Sequence, residues 1–161
     1  MSELYKLEKW IWSEKDFEKM GWHDCHIHSL AFYPEKFELA LDLDYIFKWV
    51  EPKKGETHYK FWVAPVTMVF ENVYDISINI ETSLGIEIAS ISRSNQSAPR
   101  NVEFINKVEQ WDWNIDCQEG TIFFKSVGYT MYVKSEPIFL SNQVIDINDR
   151  GGINFERGKL K

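Results

Sequence analysis

The chain has 161 residues, of which 44% are hydrophobic and 16% aromatic, and this composition supports one domain with a substantial core. Its formal net charge is −7, and its lysines and arginines are scattered along the sequence. A nucleic-acid partner is therefore not expected, because binding to the phosphate backbone depends on clustered positive charge, whereas a basic protein partner suits the acidic balance.

One short helix is predicted near the N-terminus. Ser13 and Asp16 have the spacing of a capping pair at the start of a helix, and Phe17 with Met20 forms a modest apolar stripe. Gly21 follows and predicts the end of the helix.

A β-hairpin is predicted next, because apolar and polar residues alternate over residues 39–45. Three histidines and one aspartate fall at the start of its first strand, in the run His-Asp-Cys-His-Ile-His of residues 23–28. Pro34 indicates the turn between the two strands. The core-facing residues of the second strand are Leu39, Leu41, Leu43 and Tyr45, and the opposite face carries Glu38, Ala40, Asp42 and Asp44.

The register of this hairpin is predicted from the packing of small residues against large ones. That register places His28 opposite Asp42 and His26 opposite Asp44. Directly opposed Cβ atoms lie about 5 Å apart, close enough for an imidazole to hydrogen-bond a carboxylate. The core-facing pairs expected in the same register are Ile27 with Leu43, Ser29 with Leu41, and Ala31 with Leu39.

The remainder of the chain also shows the period of two that is typical of strands. Glu119 and Gly120 form a good tight-turn pair. The predicted strands are 61–73, 76–82, 86–91, 102–117 as one strand or as two broken near Lys107, 121–133, and 138–147. About eight to nine strands predict a mainly β chain, folded as an antiparallel sandwich or open barrel with one short N-terminal helix.

Two segments are expected to be mobile. Residues 92–100 are polar and contain Pro99, and residues 149–161 are polar and rich in glycine. The chain is therefore interpreted as a single β-rich domain over residues 1–148, followed by a polar, mobile tail over residues 149–161.

A cytoplasmic location is expected, with no membrane association. The first residues, Met-Ser-Glu-Leu-Tyr-Lys, do not have the charged and then apolar pattern of a secretion signal. The longest apolar run, 61–70, contains Pro65 and is about half as long as a membrane-spanning helix. Cys25 and Cys117 fit a reducing compartment, and they could pair only if their strands were adjacent.

A divalent transition metal is the most specific chemical hypothesis for the hairpin. His26 and His28 lie on one strand face, and imidazole nitrogens and carboxylate oxygens are ligands for zinc, iron or manganese. His23 or Asp42 could complete the set. The competing interpretation is a row of cross-strand His–Asp pairs on a half-solvated sheet face, because no motif such as HExxH or CxxC is present.

Two further chemical interpretations are weaker. Cys25 could act as a nucleophile with His23 as its base, but its apolar neighbours on the same strand face favour a buried, inert thiol. Residues 146–151 begin like a calcium loop. Arg150 and Arg157 occupy the fifth and twelfth positions, where that loop needs oxygen ligands, so a calcium loop is excluded.

Tryptophans at a spacing of two indicate a candidate binding surface. Trp10 with Trp12, and Trp111 with Trp113, would project from one face of a strand and could stack on sugar rings or on a partner protein. Core packing is the alternative for each pair. Asp44 is the acidic residue grouped with this surface.

A family resemblance is carried by Trp22-His-Asp-Cys-His-Ile27 and by the later Leu39-Ala-Leu-Asp-Leu-Asp44. This pattern resembles the opening of small bacterial β-rich proteins, some of which are grouped with the immunity proteins of toxin systems. The resemblance covers residues 22–45. It implies a cytoplasmic, single-domain protein that binds and blocks a toxin, and it assigns no catalytic residue.

The expected function is therefore non-catalytic: a bacterial protein of the immunity type that binds a basic toxin or another protein. The first alternative is a metal-dependent enzyme that uses His26, His28, Asp42 and Asp44. The second is a carbohydrate-binding module that uses the tryptophan pairs.

Overall fold

Antiparallel strand pairing dominates the computed structural model, which describes residues 4–161. Residues 1–3, part of the segment considered for a secretion signal, lie outside the described residues. Ten strands within residues 4–161 form one open sheet, which confirms the predicted mainly β fold. The strands are β1 (Ile11–Ser13), β2 (His26–Tyr33), β3 (Glu38–Val50), β4 (Lys60–Glu71), β5 (Tyr74–Ile80), β6 (Ile86–Ser97), β7 (Gln110–Cys117), β8 (Gly120–Ser126), β9 (Gly128–Val133) and β10 (Ile138–Leu140).

The sheet has the strand order β1-β9-β4-β3-β2-β6-β7-β8-β5, and β10 pairs with the first part of β4. β5 follows β4 almost directly, and β9 follows β8 in the same way. Because β4 pairs with β9 and β5 pairs with β8, the two continuous stretches pair with each other on both sides of a bend. At the bend the N–H of Val127 and the hydroxyl of Ser126 both donate to the carbonyl of Glu71, at 3.3 and 2.7 Å. The two halves of the sheet are thereby joined at a corner.

The core lies between these two halves. Leu39, Leu41 and Leu43 are fully buried along β3, as the alternation of apolar residues predicts. Phe70 of β4 meets Trp113 of β7, with ring centroids 5.2 Å apart. Edge-to-face aromatic packing of this kind adds to the free energy gained from burial alone.

The predicted N-terminal helix is present as a 3-10 helix, Glu14–Lys19. The predicted cap is confirmed, because the Ser13 hydroxyl accepts a hydrogen bond from the backbone and the Asp16 carboxylate accepts one from the N–H of Ser13. Phe17 and Met20 pack against the core. No helix among residues 4–161 is long and apolar enough to cross a membrane.

The expected mobile loop at residues 92–100 is wrong over most of its length, because β6 continues to Ser97. Ser92 pairs with Asn114 and Arg93 with Trp113. Most of these residues are exposed or half-buried, so polar side chains are compatible with a strand that has one solvated face.

Two predicted strands are shorter in the structure. Strand 102–117 is reduced to β7, and a 3-10 helix, Val102–Phe104, lies at its predicted start. Strand 138–147 is reduced to β10. Strand 121–133 is divided into β8 and β9 by the corner at Val127. Periodicity alone did not indicate the breaks within 121–133 and 138–147, whereas the alternative of a break near Lys107 agrees with the start of β7 at Gln110.

The segment predicted as a polar tail, 149–161, contacts the sheet in the structure. Arg150 is buried, and the N–H of Leu160 donates to the carbonyl of Lys134 at 2.7 Å. The guanidinium of Arg157 pairs with the carboxylate of Glu38 at 2.6 Å. These contacts place the segment along the outer face of the sheet.

A tight turn joins β7 and β8 one residue before the predicted Glu119-Gly120 pair, at Gln118 and Glu119, and Gly120, the first residue of β8, has φ +146°. A Cβ at this position would lie 1.9 Å from the carbonyl oxygen of Asn79. Gly55 also has a positive φ, +92°, but no atom lies within 4 Å of the corresponding position. A side chain at Gly55 would therefore introduce backbone strain alone, whereas one at Gly120 would introduce both strain and a steric clash.

We expect Gly120→Ala to lower the free energy of unfolding by more than Gly55→Ala, since only the former adds a clash with the neighbouring strand. The strain that both share is about 1–3 kcal/mol. Urea denaturation of the two variants and the parent protein measures the difference. Equal losses in the two variants would contradict the close approach of Asn79.

Candidate functional site

A buried ionic cluster lies on the outer face of β3, under the C-terminal segment 141–161. Its members are Asp42, Asp44, Lys134 and Arg150, all of which are buried. Side chains alternate along a strand, so the two aspartates face away from the leucines of β3 that fill the core. The C-terminal segment covers them and supplies Arg150.

The guanidinium of Arg150 joins the two aspartates. Its Nη2 and Nη1 donate to the two oxygens of Asp42 at 2.6 and 2.9 Å, and its Nε donates to Asp44 at 3.0 Å. Lys134 Nζ donates to Asp42 at 2.8 Å. Two carboxylates therefore face two cations, with the planar, two-pronged geometry that makes arginine pairs specific.

Backbone groups complete the cluster. The N–H of Asn154 donates to Asp42 at 3.0 Å, and the N–H of Ile145 donates to Asp44 at 2.9 Å. Lys134 also donates to the carbonyl of Asn154 at 2.8 Å. The cluster thus fastens the C-terminal segment to β3 at two points.

His28 belongs to the same cluster through a β-bulge. Its Nε2 lies 2.8 Å from Asp44 Oδ2, and its ring packs edge-on against His26, with centroids 4.7 Å apart. The pairing of β2 with β3 shifts between Ile27 and Ser29, so His28 is the extra residue. The bulge turns its imidazole toward Asp44.

The bulge corrects the predicted register. His26 opposite Asp44 is confirmed, but His28 opposite Asp42 is wrong, because Ser29 takes that place. Ile27 lies opposite Leu43, as predicted. The expected pairs of Ser29 with Leu41 and of Ala31 with Leu39 are also wrong: the observed pairs are Ser29 with Asp42, Leu30 with Leu41, and Ala31 with Ala40.

Burial and pairing shift the pKa values in this cluster. Burial opposes the ionisation of Asp42, but the hydrogen bonds from Arg150 and Lys134 together outweigh it and hold the pKa of Asp42 below its ordinary value. Burial lowers the pKa of Lys134, against the favourable effect of Asp42. Burial, and then the neighbouring His28, lower the pKa of His26.

The residues proposed as metal ligands are not brought together around one point. His23 lies on the surface, whereas Asp42 is occupied by Arg150 and Lys134. No group of three or more His, Cys, Asp or Glu side chains in residues 4–161 is placed to hold a metal ion. A guanidinium and an ammonium lie where a cation bound to Asp42 would lie.

Lys134 and Arg150 are the cluster residues that sequence reasoning missed. In the sequence, Arg150 stands out only as the residue that breaks a calcium-loop pattern. The available signal was the prediction that Asp42 and Asp44 lie side by side on one face of β3, since two such carboxylates, once buried, need cationic partners.

Cys25 is a buried thiol rather than a nucleophile. It is fully buried, and burial raises its pKa to about 12. Cys117 is half-buried, and burial, followed by the charges of Glu119 and Asp116, raises its pKa to about 12. Both cysteines are free thiols.

The two tryptophan pairs each place one ring in the core. Trp12 and Trp113 are buried, and Trp10 and Trp111 are half-buried. Trp113 donates from its indole N–H to the carbonyl of Ser126 at 3.1 Å. Neither pair presents two exposed rings. Asp44, which is predicted to belong to the same binding surface, is buried in the ionic cluster.

A different surface combines exposed aromatic rings with carboxylates. We define this acidic–aromatic face by His23, Asp24, Trp49, Glu87 and Glu119. The ring of His23, 65% exposed, stacks on that of Trp49, 39% exposed, with centroids 6.0 Å apart. His23 Nε2 lies 3.4 Å from Asp24 Oδ1, and Glu119 accepts from the N–H of Glu87 at 2.7 Å.

The carboxylates of this face interact unfavourably. Burial, and then the charges of Asp24 and Glu119, raise the pKa of Glu87 above its ordinary value, and His23 opposes this only in part. Like charges held close together disfavour one another. A cation that entered this face would relieve that repulsion.

Comparisons with known protein families, with curated proteins and with solved structures find no match for this chain.

Replacement of Arg150 should destabilise the fold strongly. We expect Arg150→Met to lower the free energy of unfolding by about 3–5 kcal/mol, because it leaves two buried carboxylates with one cation. Arg157→Met is the matched control. It removes the more exposed pair with Glu38 and should cost about 1 kcal/mol or less. Urea denaturation of both variants decides, and losses of similar size would contradict the role given to the buried cluster.

Stability should also fall in acid through Asp42. Its pKa is lower in the folded chain than the ordinary value of 3.8, so its contribution is present above that value and is lost as the pH falls through the folded pKa. We expect Asp42→Asn to lower stability near neutral pH and to flatten the dependence of unfolding free energy on pH in acid. Asp149→Asn, on the exposed surface, is the control and should keep the parental slope.

Proposed function

We propose that this chain is a non-catalytic binding protein of the bacterial toxin-immunity type, and that it binds a basic protein partner through the acidic–aromatic face. One observation carries the proposal. Three carboxylates, those of Asp24, Glu87 and Glu119, gather beside the exposed stack of His23 on Trp49.

The chemistry of this face favours an arginine side chain of the partner. A guanidinium can stack on an aromatic ring and at the same time donate in its plane to carboxylates. Trp49 offers the ring, and Asp24 and Glu87 offer the acceptors. An incoming cation would also relieve the repulsion that raises the pKa of Glu87.

The net charge of the chain supports a basic partner as well. A formal charge of −7 attracts a positively charged protein over distances longer than any single contact. Such complementarity speeds association more than it strengthens the final complex. A protein that must block a toxin soon after the toxin appears benefits from a fast encounter.

The arrangement of the histidines supports a non-catalytic role. His28, Asp42 and Asp44 are bonded to one another or to Arg150 and Lys134, so their hydrogen-bonding capacity serves the fold. The resemblance of residues 22–45 to immunity-type proteins points in the same direction. The free thiols of Cys25 and Cys117 fit a cytoplasmic location.

Binding can be tested with a short peptide of alternating arginine and glycine. We expect binding by isothermal titration calorimetry that weakens as salt is raised, and we expect no binding of a glutamate–glycine peptide. Trp49→Ala should weaken the affinity for the arginine peptide by about fivefold, the equivalent of the roughly 1 kcal/mol of one exposed cation–π contact. Glu87→Gln should also weaken the affinity for the arginine peptide. The dependence of that affinity on salt should not become steeper, since the substitution removes one of the charges.

Matched controls lie elsewhere on the surface. Phe104→Ala removes an exposed aromatic ring, and Glu103→Gln removes an exposed carboxylate, both outside the acidic–aromatic face. Equal loss of affinity in the control and test variants would overturn the assignment of this face. For the immunity role, expression of this chain should restore the growth of cells that express a basic toxin encoded by a neighbouring gene. Trp49→Ala should reduce that rescue.

A further inference from the structure

A cavity beside the corner of the sheet lies outside the ionic cluster and the acidic–aromatic face. Its volume is about 410 Å³, and it is lined by parts of three segments: the turn 36–38, the bend 71–72 and the stretch 101–107 before β7. Val127, at the corner itself, also lines it. Small-molecule sites in proteins are concave and have volumes of roughly 300–1,000 Å³. The cavity is therefore large enough for a small ligand.

Phe37, which lines this cavity, has a backbone conformation that aromatic residues rarely adopt. It follows a 3-10 helix, Pro34–Lys36, and has φ +55°, in the left-handed region where glycine or asparagine usually ends a helix. The other non-glycine residues with positive φ within residues 4–161 are all Asp or Asn: Asp24, Asn72, Asp75 and Asn95. The ring of Phe37 is 61% exposed, so its packing in the fold does little to offset the strain. Backbone strain of this kind clusters at ligand sites.

Hydrogen bonds fix the walls of the cavity relative to one another. The carbonyl of Phe37 accepts from the N–H of Val73 at 2.7 Å. The side-chain amides of Asn72 and Asn101 donate to each other, at 3.0 and 2.9 Å. A ligand that enters a cavity with fixed walls loses less free energy to the ordering of the protein.

Aromatic surface is available to a ligand in this cavity. Phe104, which is 84% exposed, lines the cavity together with Phe37. Ile105 and Val127 add apolar surface. Aromatic rings gain free energy when they pack against one another, beyond the gain from burial alone. The lining therefore favours a ligand with an aromatic ring.

The charges that line the cavity favour an anion. Lys36 and Lys107 are absent from the salt bridges formed within residues 4–161. Glu38 is neutralised by Arg157 at 2.6 Å, and the other carboxylate of the lining is that of Glu71. Two unpaired ammonium groups therefore outnumber one unpaired carboxylate, although the chain as a whole has a net charge of −7. An anionic ligand compensates this local excess of positive charge.

We propose that this cavity binds a small aromatic carboxylate. We name it the basic–aromatic pocket and define it by Lys36, Phe37, Asn72, Phe104 and Lys107. The ring of the ligand packs against the two phenylalanines, and its carboxylate pairs with one or both lysines. The site is separate from the acidic–aromatic face and does not depend on the function proposed for that face.

NMR titration of the ¹⁵N-labelled full chain with 2-naphthoate tests the proposal. We expect saturable shifts that are concentrated in the amide signals of residues 36–38, 72 and 101–107. The compound 2-(aminomethyl)naphthalene has the same rings and the opposite charge, and it should not bind the pocket, because the lysines repel it. Equal binding of the two compounds, or shifts spread evenly over the whole chain, would overturn the proposal.

Substitutions at exposed positions identify the groups that bind. Phe104→Ala and Lys107→Gln should each weaken the affinity for 2-naphthoate by about fivefold, the equivalent of one aromatic or one ionic contact at a surface. Tyr59→Ala and Lys54→Gln are the matched controls, since they remove an exposed ring and an exposed lysine outside the pocket. Losses of similar size in the test and control variants would contradict the assignment.

Phe37→Asn distinguishes binding from stability. Asparagine adopts the left-handed conformation with less strain than phenylalanine, so the midpoint of urea denaturation should rise. The affinity for 2-naphthoate should fall, because one wall of the pocket loses its ring. A lower midpoint would indicate that the ring serves the fold and would contradict the proposal. An acidic peptide that shifts the signals of the pocket, with no effect of 2-naphthoate, would reassign the pocket to a protein partner and overturn it.

Discussion

Compensation of two buried carboxylates is the constraint on which the outer face of this sheet depends. Asp42 and Asp44 project from β3 on the side away from the core, and each would cost several kcal/mol if it were buried without a partner. Arg150 and Lys134 meet that requirement from parts of the chain that are distant in sequence. The aspartates of β3 therefore fix the position of the C-terminal segment. One face of β3 fills the core, and its opposite face positions the segment 141–161 that covers it.

The histidine-rich run is divided between two roles by the direction of the backbone. Asp24 has φ +68°, in the left-handed region, and its N–H donates to the carbonyl of Ile88 at 2.8 Å. His23, before this change of direction, lies on the surface beside Trp49. His28, after it, lies in the ionic cluster. Residues close together in sequence thus contribute separately to the exposed acidic–aromatic face and to the stability of the fold.

Alternation of apolar residues was sufficient to predict the fold class and one strand of the site. The leucines of residues 39–43 identify the core face, and the aspartates between them identify the opposite face. The bulge at His28 was not predictable from that pattern, because it depends on which carboxylate is free to accept from the imidazole. The cations of the cluster were not predictable either, since no local spacing links Asp42 to Lys134 or Arg150, which are separated from it by 92 and 108 residues.

That separation has a consequence for biosynthesis. A ribosome adds roughly 5–20 residues per second, so β3 leaves the exit tunnel several seconds before Arg150 is made. During that interval the carboxylates of Asp42 and Asp44 remain hydrated, and the nascent sheet has an open outer face. Burial of both carboxylates with their full set of partners can follow only after Arg150 has left the tunnel. The segment that covers the outer face of β3 is therefore synthesised after the ten strands of the sheet described above.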